Sequence, residues 1–266
     1  VLAAFSRQRN ITFPLLSDAG SATIKAFGLL NPATEWALGP DQNDGATADE
    51  IRKYVSGGRP TPAMVGIAFP GTFILDRQGR VTARFFEDSY IERNTASSVM
   101  LEVGAGTTPV SVRRIVSAQA DIATFTSDAS VSVGNRFSLI FDITPRRGLH
   151  VYAPGATGYR VVTSSIRPQP FVRVGEIQYP PSEIYFFKPL NERVPVYQKP
   201  FRLIQDILIE GTPQAQAALQ AQENVTIVGS LEYQACDDKL CYDPMSVPLT
   251  WTVSLKPLIR ERPPVR

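Results

Sequence analysis

Cysteine and histidine are the scarcest reactive residues in this 266-residue chain, which has two cysteines, Cys236 and Cys241, and one histidine, His150. Zinc takes four protein ligands, or three and a water. With His150 far upstream of the cysteines, the donor set is too small, so neither a metal site nor a cofactor is expected. Excess charge is also missing: 27 basic against 25 acidic side chains leave a net +2. That creates no field to attract nucleic acid or an anionic membrane. Long hydrophobic runs are absent as well. The longest stretch free of Asp, Glu, Lys and Arg, Pro60 to Leu75, carries Pro60, Pro62 and Pro70 and falls short of the ~20 apolar residues of a spanning helix. No membrane insertion is expected, and composition sets no oligomeric state. The opening residues lack an initiator Met and place apolar Val1, Leu2 and Phe5 before basic Arg7 and Arg9. A secretory signal has the reverse order. This order suits the end of an amphipathic helix, whose dipole favours cations at its C-terminus, so the sequence is expected to begin inside a domain.

The residues present describe a folded chain of two parts. Hydrophobic residues make up 43% and charged residues 20%, the balance of a globular protein rather than a disordered one. The length suits two domains. Prolines number 22 and thicken after Pro109, where strands and turns accommodate them. In the first part, Ile11–Leu16 reads as a short buried strand, and Ser17 or Asp18 can cap a helix over 19–27 that Gly28 stops. Residues 31–43 read as loop. Thr47 and Glu50 have capping-box spacing for a second helix ending at Gly57-Gly58. The runs 72–75 and 81–86 flank the turn Asp76–Gly79 as a hairpin, and a last helix is expected over 91–101. Residues 102–113 carry Gly and Thr without an apolar face, the profile of a linker. Beyond it, strand-like runs recur at 130–133, 137–143, 149–152, 171–174, 184–187, 201–209, 225–233 and 247–255, with a short Ala/Gln-rich helix over 213–222. Many short strands with little helix between them predict a β-sandwich of immunoglobulin-like size.

Two segments resemble known families. Ile11–Asp18, Ala26–Asn31 and Phe69–Gly79 resemble, in order, the C-terminal two thirds of a redoxin of the AhpC/TSA peroxiredoxin family. The resemblance implies a thioredoxin-like fold and a cis peptide at Pro70, beside the family's reactive cysteine. That cysteine has no counterpart here, because residues 1–100 contain none. Tyr233-Gln234-Ala235-Cys236, a short polar insertion, Cys241-Tyr242, Pro244 and Val247-Pro248-Leu249 resemble the active-site hairpin of the N-terminal domain of the DsbD thiol:disulfide interchange family. This implies Cys236 and Cys241 as a redox pair with Tyr233 and Tyr242 in support, a thiol/disulfide protein as partner, and a periplasmic or other extracytoplasmic location. It further implies Cys241 as the sulfur that exchanges with the partner and Cys236 as the resolving one. Asn191–Pro195 is the region where that family's cap loop is expected. The fold class expected is therefore α/β plus all-β. A partial thioredoxin-like domain covers 1–101 and a linker 102–113. An immunoglobulin-like antiparallel β-sandwich covers 114–257, followed by a tail over 258–266.

Three states of the cysteines stand open: a redox pair, an inert structural disulfide, or two unpaired thiols. Chain entropy favours the first, since so short a loop stabilises a domain by only about 2 kcal/mol. Close spacing instead lets the same sulfurs make and break a bond without unfolding. His150 reads as ordinary surface or packing, with general-base catalysis the less favoured alternative. Tyr185-Phe186-Phe187 reads as core, or as a shield over the disulfide. Asp237 and Asp238 read as turn residues whose charge would disfavour a nearby thiolate. Because a thiolate is the nucleophile of peroxide reduction, residues 1–100 are predicted to lack peroxidase activity. The check is a turnover assay with hydrogen peroxide and a reducing partner. Consumption that survives replacement of both Cys236 and Cys241 by Ala would overturn this reading.

Overall fold

The computed structural model describes residues 2–40, 48, 51, 61–62, 65–86, 92–106, 108–188 and 191–257. The chain divides into two compact units, Val1–Ile91 and Glu92–Arg266. In the first, α1 (Leu2–Gln8) carries Arg7 in its last turn, as the dipole prefers. The Asp18 carboxylate accepts the backbone N–H groups of Thr23 at 2.9 Å and Ile24 at 2.8 Å. It thereby satisfies the first turn of α2 (Ala22–Ala26). The expected start at Ala19 is displaced because Gly20 sits at φ 70°, which no helix continues through. Gly28, at φ 68°, ends the segment as expected.

Other expectations for this unit need correction. Ile11–Leu16 forms no strand, and Phe13 and Leu16 are exposed; Pro14 lacks the N–H a ladder needs. The expected loop after Asn31 instead contains α3 (Ala33–Leu38), begun by the Asn31 side chain accepting the Ala33 N–H at 2.8 Å. Pro70 follows a trans peptide bond, since no described bond is cis. Trans is the intrinsic preference of X–Pro, and the Phe69 N–H before it bonds the Leu29 carbonyl at 2.7 Å. The hairpin forms as read: β1 (Gly71–Leu75) pairs antiparallel with β2 (Val81–Phe86). Its turn is held by the Asp76 carboxylate, which accepts the Gln78 and Arg80 N–H groups. The helix expected from Thr47 falls largely outside the described residues.

The second unit runs β3 (Arg93–Asn94), α4 (Ala96–Glu102), β4 (Val110–Val116), β5 (Ala120–Thr126), β6 (Ser130–Ser132), β7 (Asn135–Pro145), β8 (His150–Tyr152), β9 (Thr163–Ile166), β10 (Val172–Gln178), β11 (Glu183–Phe187), β12 (Glu192–Tyr197), β13 (Phe201–Ile209), α5 (Pro213–Leu219), β14 (Asn224–Tyr233), β15 (Ala235–Cys236) and β16 (Met245–Lys256). One sheet has the order β10-β13-β7-β5-β4, with β3 added parallel to β7; a second is β6-β16-β14-β9; a third is β11-β12-β8-β15. Pairing is antiparallel except at β3–β7 and β6–β16. The eight strand runs read from the sequence all appear. The strands β3, β4, β5, β9, β12 and β15 are additional, β3 lying where the helix over 91–101 was expected to begin, and they are short or mix Thr, Ser and charge among the apolar residues. Inward side chains of the first two sheets make one core, with Phe137, Leu139, Phe141, Leu203 and Ile207 meeting Ile227, Leu231, Trp251 and Val253. The Trp251 ring stands edge-on to Phe141 at 5.6 Å. Its indole N–H donates to Thr124 Oγ1 at 2.9 Å, so the buried polar atom is satisfied.

Strand β7 is buried on both faces. Its odd-numbered residues Phe137, Leu139, Phe141 and Ile143 enter the main core, and Ile140 points the other way, where Phe125 and Leu101 of α4 cover it. Thr95 caps this helix by accepting the Ser98 N–H at 3.2 Å. The last helix of the expected α/β half thus packs on the β unit, and the contact division falls after Ile91. Residues 110–113, read as linker, open β4, where Ser111 at φ 53° lies within a register shift. If α4 belongs to the β unit energetically, Leu101→Ala should lower its unfolding free energy by about 2–3 kcal/mol, the ordinary cost of a buried leucine cavity. Met100→Ala, at an exposed position on the same helix, should change it by under ~0.5 kcal/mol. Urea midpoints of the two variants check this.

Candidate active site

Strand β14 runs to Tyr233, β15 adds Ala235 and Cys236, and the chain then reverses over four residues before Cys241. An aspartate turn makes the reversal: Asp237 Oδ1 accepts the N–H groups of Lys239 at 2.7 Å and Leu240 at 2.6 Å. The Asp237 N–H returns to the Leu240 carbonyl at 2.9 Å. These backbone donors, Leu240 first, hold the Asp237 carboxyl below its ordinary range. Cys241 comes back opposite Cys236 as an isolated antiparallel bridge, and the Tyr242 N–H bonds the Ala235 carbonyl at 3.0 Å. The two cysteines form a disulfide with Cα atoms 4.1 Å apart, which excludes the unpaired-thiol state. Cys236 is 1% exposed, whereas Cys241 is half-buried beside exposed Leu240.

The walls of the site follow from strand alternation. Strand β8 lies between β12 and β15, with Val151 opposite Tyr197 and Ala235, Tyr152 opposite Val196, and His150 opposite Cys236. Directly opposed residues share a face. Val151, Ala235 and Tyr197 therefore enter the main core, while Tyr152, Val196 and Cys236 build a separate cluster with Val194. Tyr159, Tyr185 and Cys241 pack against that cluster. The Tyr152 hydroxyl donates to Cys236 Sγ at 3.0 Å and stands 3.4 Å from Cys241 Sγ. Its ring stacks on Tyr159 at 4.0 Å, and the Tyr159 hydroxyl donates to Glu192 Oε2 at 2.7 Å. Burial, then the neighbouring Tyr159, Glu192 and Tyr185, hold the Tyr152 phenol well above its ordinary ionisation range.

His150 is 2% exposed, edge-on to Tyr152 at 5.4 Å and tilted against Tyr185 at 4.4 Å. Burial lowers its pKa, opposed by the Asp237 charge. It is packing, in line with the favoured reading. Tyr185 faces the site, whereas Phe186 on the edge strand β11 is exposed under Arg193, contrary to its reading as core. Adjacent strand residues point to opposite faces, so the three aromatics could not share one environment. Of the other residues named from the sequence, Tyr233 is in the main core with its hydroxyl 2.9 Å from Ser117 Oγ. Tyr242 donates to Asp237 Oδ2 at 3.2 Å, and Pro70 belongs to the first unit. The 191–195 region supplies Glu192 and Val194. Tyr152, Tyr159 and Glu192 were not singled out by sequence; for Tyr152 the sequence offered only the strand-like run 149–152, and its burial beside the sulfurs follows from the sheet. Among the described residues no group of three His, Cys, Asp or Glu side chains could hold a metal.

The fold and site define a β-sandwich domain carrying a disulfide hairpin under a tyrosine-lined wall. Residues 118–250, half of the chain, match the family described as thiol:disulfide interchange protein DsbD, N-terminal, and the chain belongs to that family. Among solved structures it is similar to the N-terminal periplasmic domain of ScsB from Proteus mirabilis, at 12% identity and a TM-score of 0.37, over 54% of this chain and 51% of that one. It is also similar to the Neisseria meningitidis DsbD N-terminal domain in the reduced form, at 13% identity and a TM-score of 0.30, over 44% of this chain and 82% of that one. The chain thus spans about half the length of the ScsB domain. No curated protein matches.

The lowered His150 pKa has a consequence for stability. Between its unfolded value near 6.5 and the lower folded value, the unfolded chain takes up a proton that the folded one refuses. Stability should therefore fall as pH drops below about 6.5, by at most ~1.4 kcal/mol per unit from this group. His150 is the sole histidine, so His150→Phe should remove that slope. Urea unfolding of both proteins at pH 7.5 and 5.0 measures it; equal slopes would contradict the assignment.

Proposed function

We propose that the second unit is a thiol–disulfide exchange module in which Cys236 and Cys241 alternate between disulfide and dithiol, passing electrons to or from a partner protein. Family membership supports the chemistry. The observation that carries it is the difference between the sulfurs: Cys236 is sealed in the tyrosine-lined pocket, while Cys241 lies half-exposed at the end of a tight turn. A bond with one reachable sulfur admits attack without opening the domain. On this reading Cys241 forms the mixed disulfide with the partner and Cys236 resolves it. Tyr242 steadies the turn through Asp237, and Tyr233 anchors the strand that presents it. The activity is that of a thiol–disulfide oxidoreductase, with no cofactor. An extracytoplasmic setting follows, since exchange of this kind operates where disulfides persist. The first unit is read as a redoxin-like fragment without a reactive cysteine. Its support is the hairpin of β1 and β2 with the Asp76 turn, in the segment that resembles that family.

The competing reading is an inert staple, favoured by the burial of Cys236. The reduction potential separates the two: structural bonds lie below about −300 mV, and exchange-competent ones above. Cys236→Ala should trap a mixed disulfide through Cys241 when incubated with an oxidised thiol-protein partner or oxidised glutathione, and Cys241→Ala should trap little. Mass spectrometry of the adducts checks this, and equal trapping would remove the assignment of roles.

A further inference from the structure

When a thiolate attacks one sulfur of a disulfide, the electron pair of the broken bond comes to rest on the other. Here the reachable sulfur belongs to Cys241, so the pair falls on Cys236 Sγ, enclosed by Val194, Val196 and Tyr152. A thiolate in such surroundings is penalised by lost hydration. One group offsets that penalty. The Tyr152 hydroxyl, 3.0 Å away, is the hydrogen-bond donor on Cys236 Sγ among the described residues. It is also nearer to that sulfur than to Cys241 Sγ, at 3.4 Å.

Resting on the exchange function above, we propose that Tyr152 is a catalytic residue whose hydroxyl stabilises Cys236 as the leaving thiolate and so directs attack to Cys241. In the step, a partner thiolate forms a bond to Cys241 Sγ and the Cys241–Cys236 bond breaks. The partner sulfur is oxidised to the level of a disulfide, and Cys236 is reduced to a thiolate that accepts the Tyr152 hydrogen bond. No other oxidant or reductant takes part. In reverse, the same bond is given up as the Cys236 thiolate attacks the mixed disulfide.

The surroundings fit a donor rather than a base. The phenol is held protonated by burial and by the charge of Glu192. Its orientation is fixed by the stack on Tyr159, interplanar angle 12°, whose own hydroxyl is anchored on Glu192. The edge of His150 closes another side. Charge-assisted hydrogen bonds are about twice as strong as neutral ones. The contact therefore strengthens as the S–S bond breaks, which is the condition for accelerating a step rather than merely holding the ground state.

The test is Tyr152→Phe, which keeps the ring and deletes the donor. Dithiothreitol is the probe, with the rate of reduction of the Cys236–Cys241 bond followed against pH and the reduced protein titrated for its thiol pKa values. The expected result is a rate about 10- to 100-fold lower, the equivalent of one charge-assisted hydrogen bond. The Cys236 thiol pKa should rise by a unit or more, with thermal unfolding of the oxidised protein little changed. A purely structural role would move unfolding and leave the thiol pKa in place. An unchanged rate and pKa in a variant whose parent is readily reduced overturns the role of Tyr152 alone. A parent bond that resists dithiothreitol overturns the exchange function and this role with it. Should Tyr152→Phe fail to fold, the unaltered protein still decides. Quenching its reduction by the monothiol cysteamine should place the adduct on Cys241, and an adduct chiefly on Cys236 overturns the proposal.

Discussion

Strand β8 is three residues long and belongs to two environments at once. Val151 enters the main core, and His150 and Tyr152 face the disulfide. Because side chains alternate along a strand, neither placement can change without the other. A slip of one residue would bring Tyr152 into the sandwich and turn Val151 toward the sulfurs. Pairing with β12 on one side and β15 on the other fixes that register. The site's geometry is therefore a by-product of core packing, which is what gives a hydroxyl a fixed distance from a sulfur.

Electrostatics at the hairpin follow the same order. The Asp237 carboxylate, the nearest charge in sequence to Cys236, is turned onto the amides of its own loop. Its work is to close the turn that brings Cys241 back. His150, the one imidazole, is kept neutral by burial between two tyrosines. What remains beside Cys236 is a phenol that holds its proton. That environment is apolar with one directed donor, the setting in which the proposed exchange would leave charge on the Cys236 sulfur only briefly.

The two units differ in how their apolar residues are used. In the second, β7 is covered on one face by the facing sheet and on the other by α4, so nearly every residue of the strand contributes to packing. In the first, large side chains such as Phe13, Leu16 and Phe27 are exposed among the described residues, and its two-stranded hairpin has few buried residues around it. Among the described residues of the first unit the apolar contacts are smaller, such as Phe73 set edge-on between Phe27 and Phe86. Burial rather than composition provides the free energy.

The sequence by itself determined the β-rich second half, eight of its strands, the short Ala/Gln-rich helix after Thr212 and the aspartate turn between the cysteines. Each of these is written in local period, turn chemistry or spacing, and needs no knowledge of what lies across the core. It missed β3, β4, β5, β9, β12 and β15, whose short or mixed runs acquire meaning only from their neighbours, and it misassigned Phe186, because adjacency in the chain is opposition in a strand. Pro70 illustrates the same limit: resemblance suggested a cis bond, and the backbone adopted the intrinsically preferred trans form. Tertiary structure alone decided that Tyr152, 84 residues from Cys236, would donate to its sulfur, and that Tyr159 and Glu192 would hold it there. A sheet joins distant strands by backbone hydrogen bonds that carry no sequence label, so the partners of the disulfide are fixed by register, and register is set only when the whole core packs.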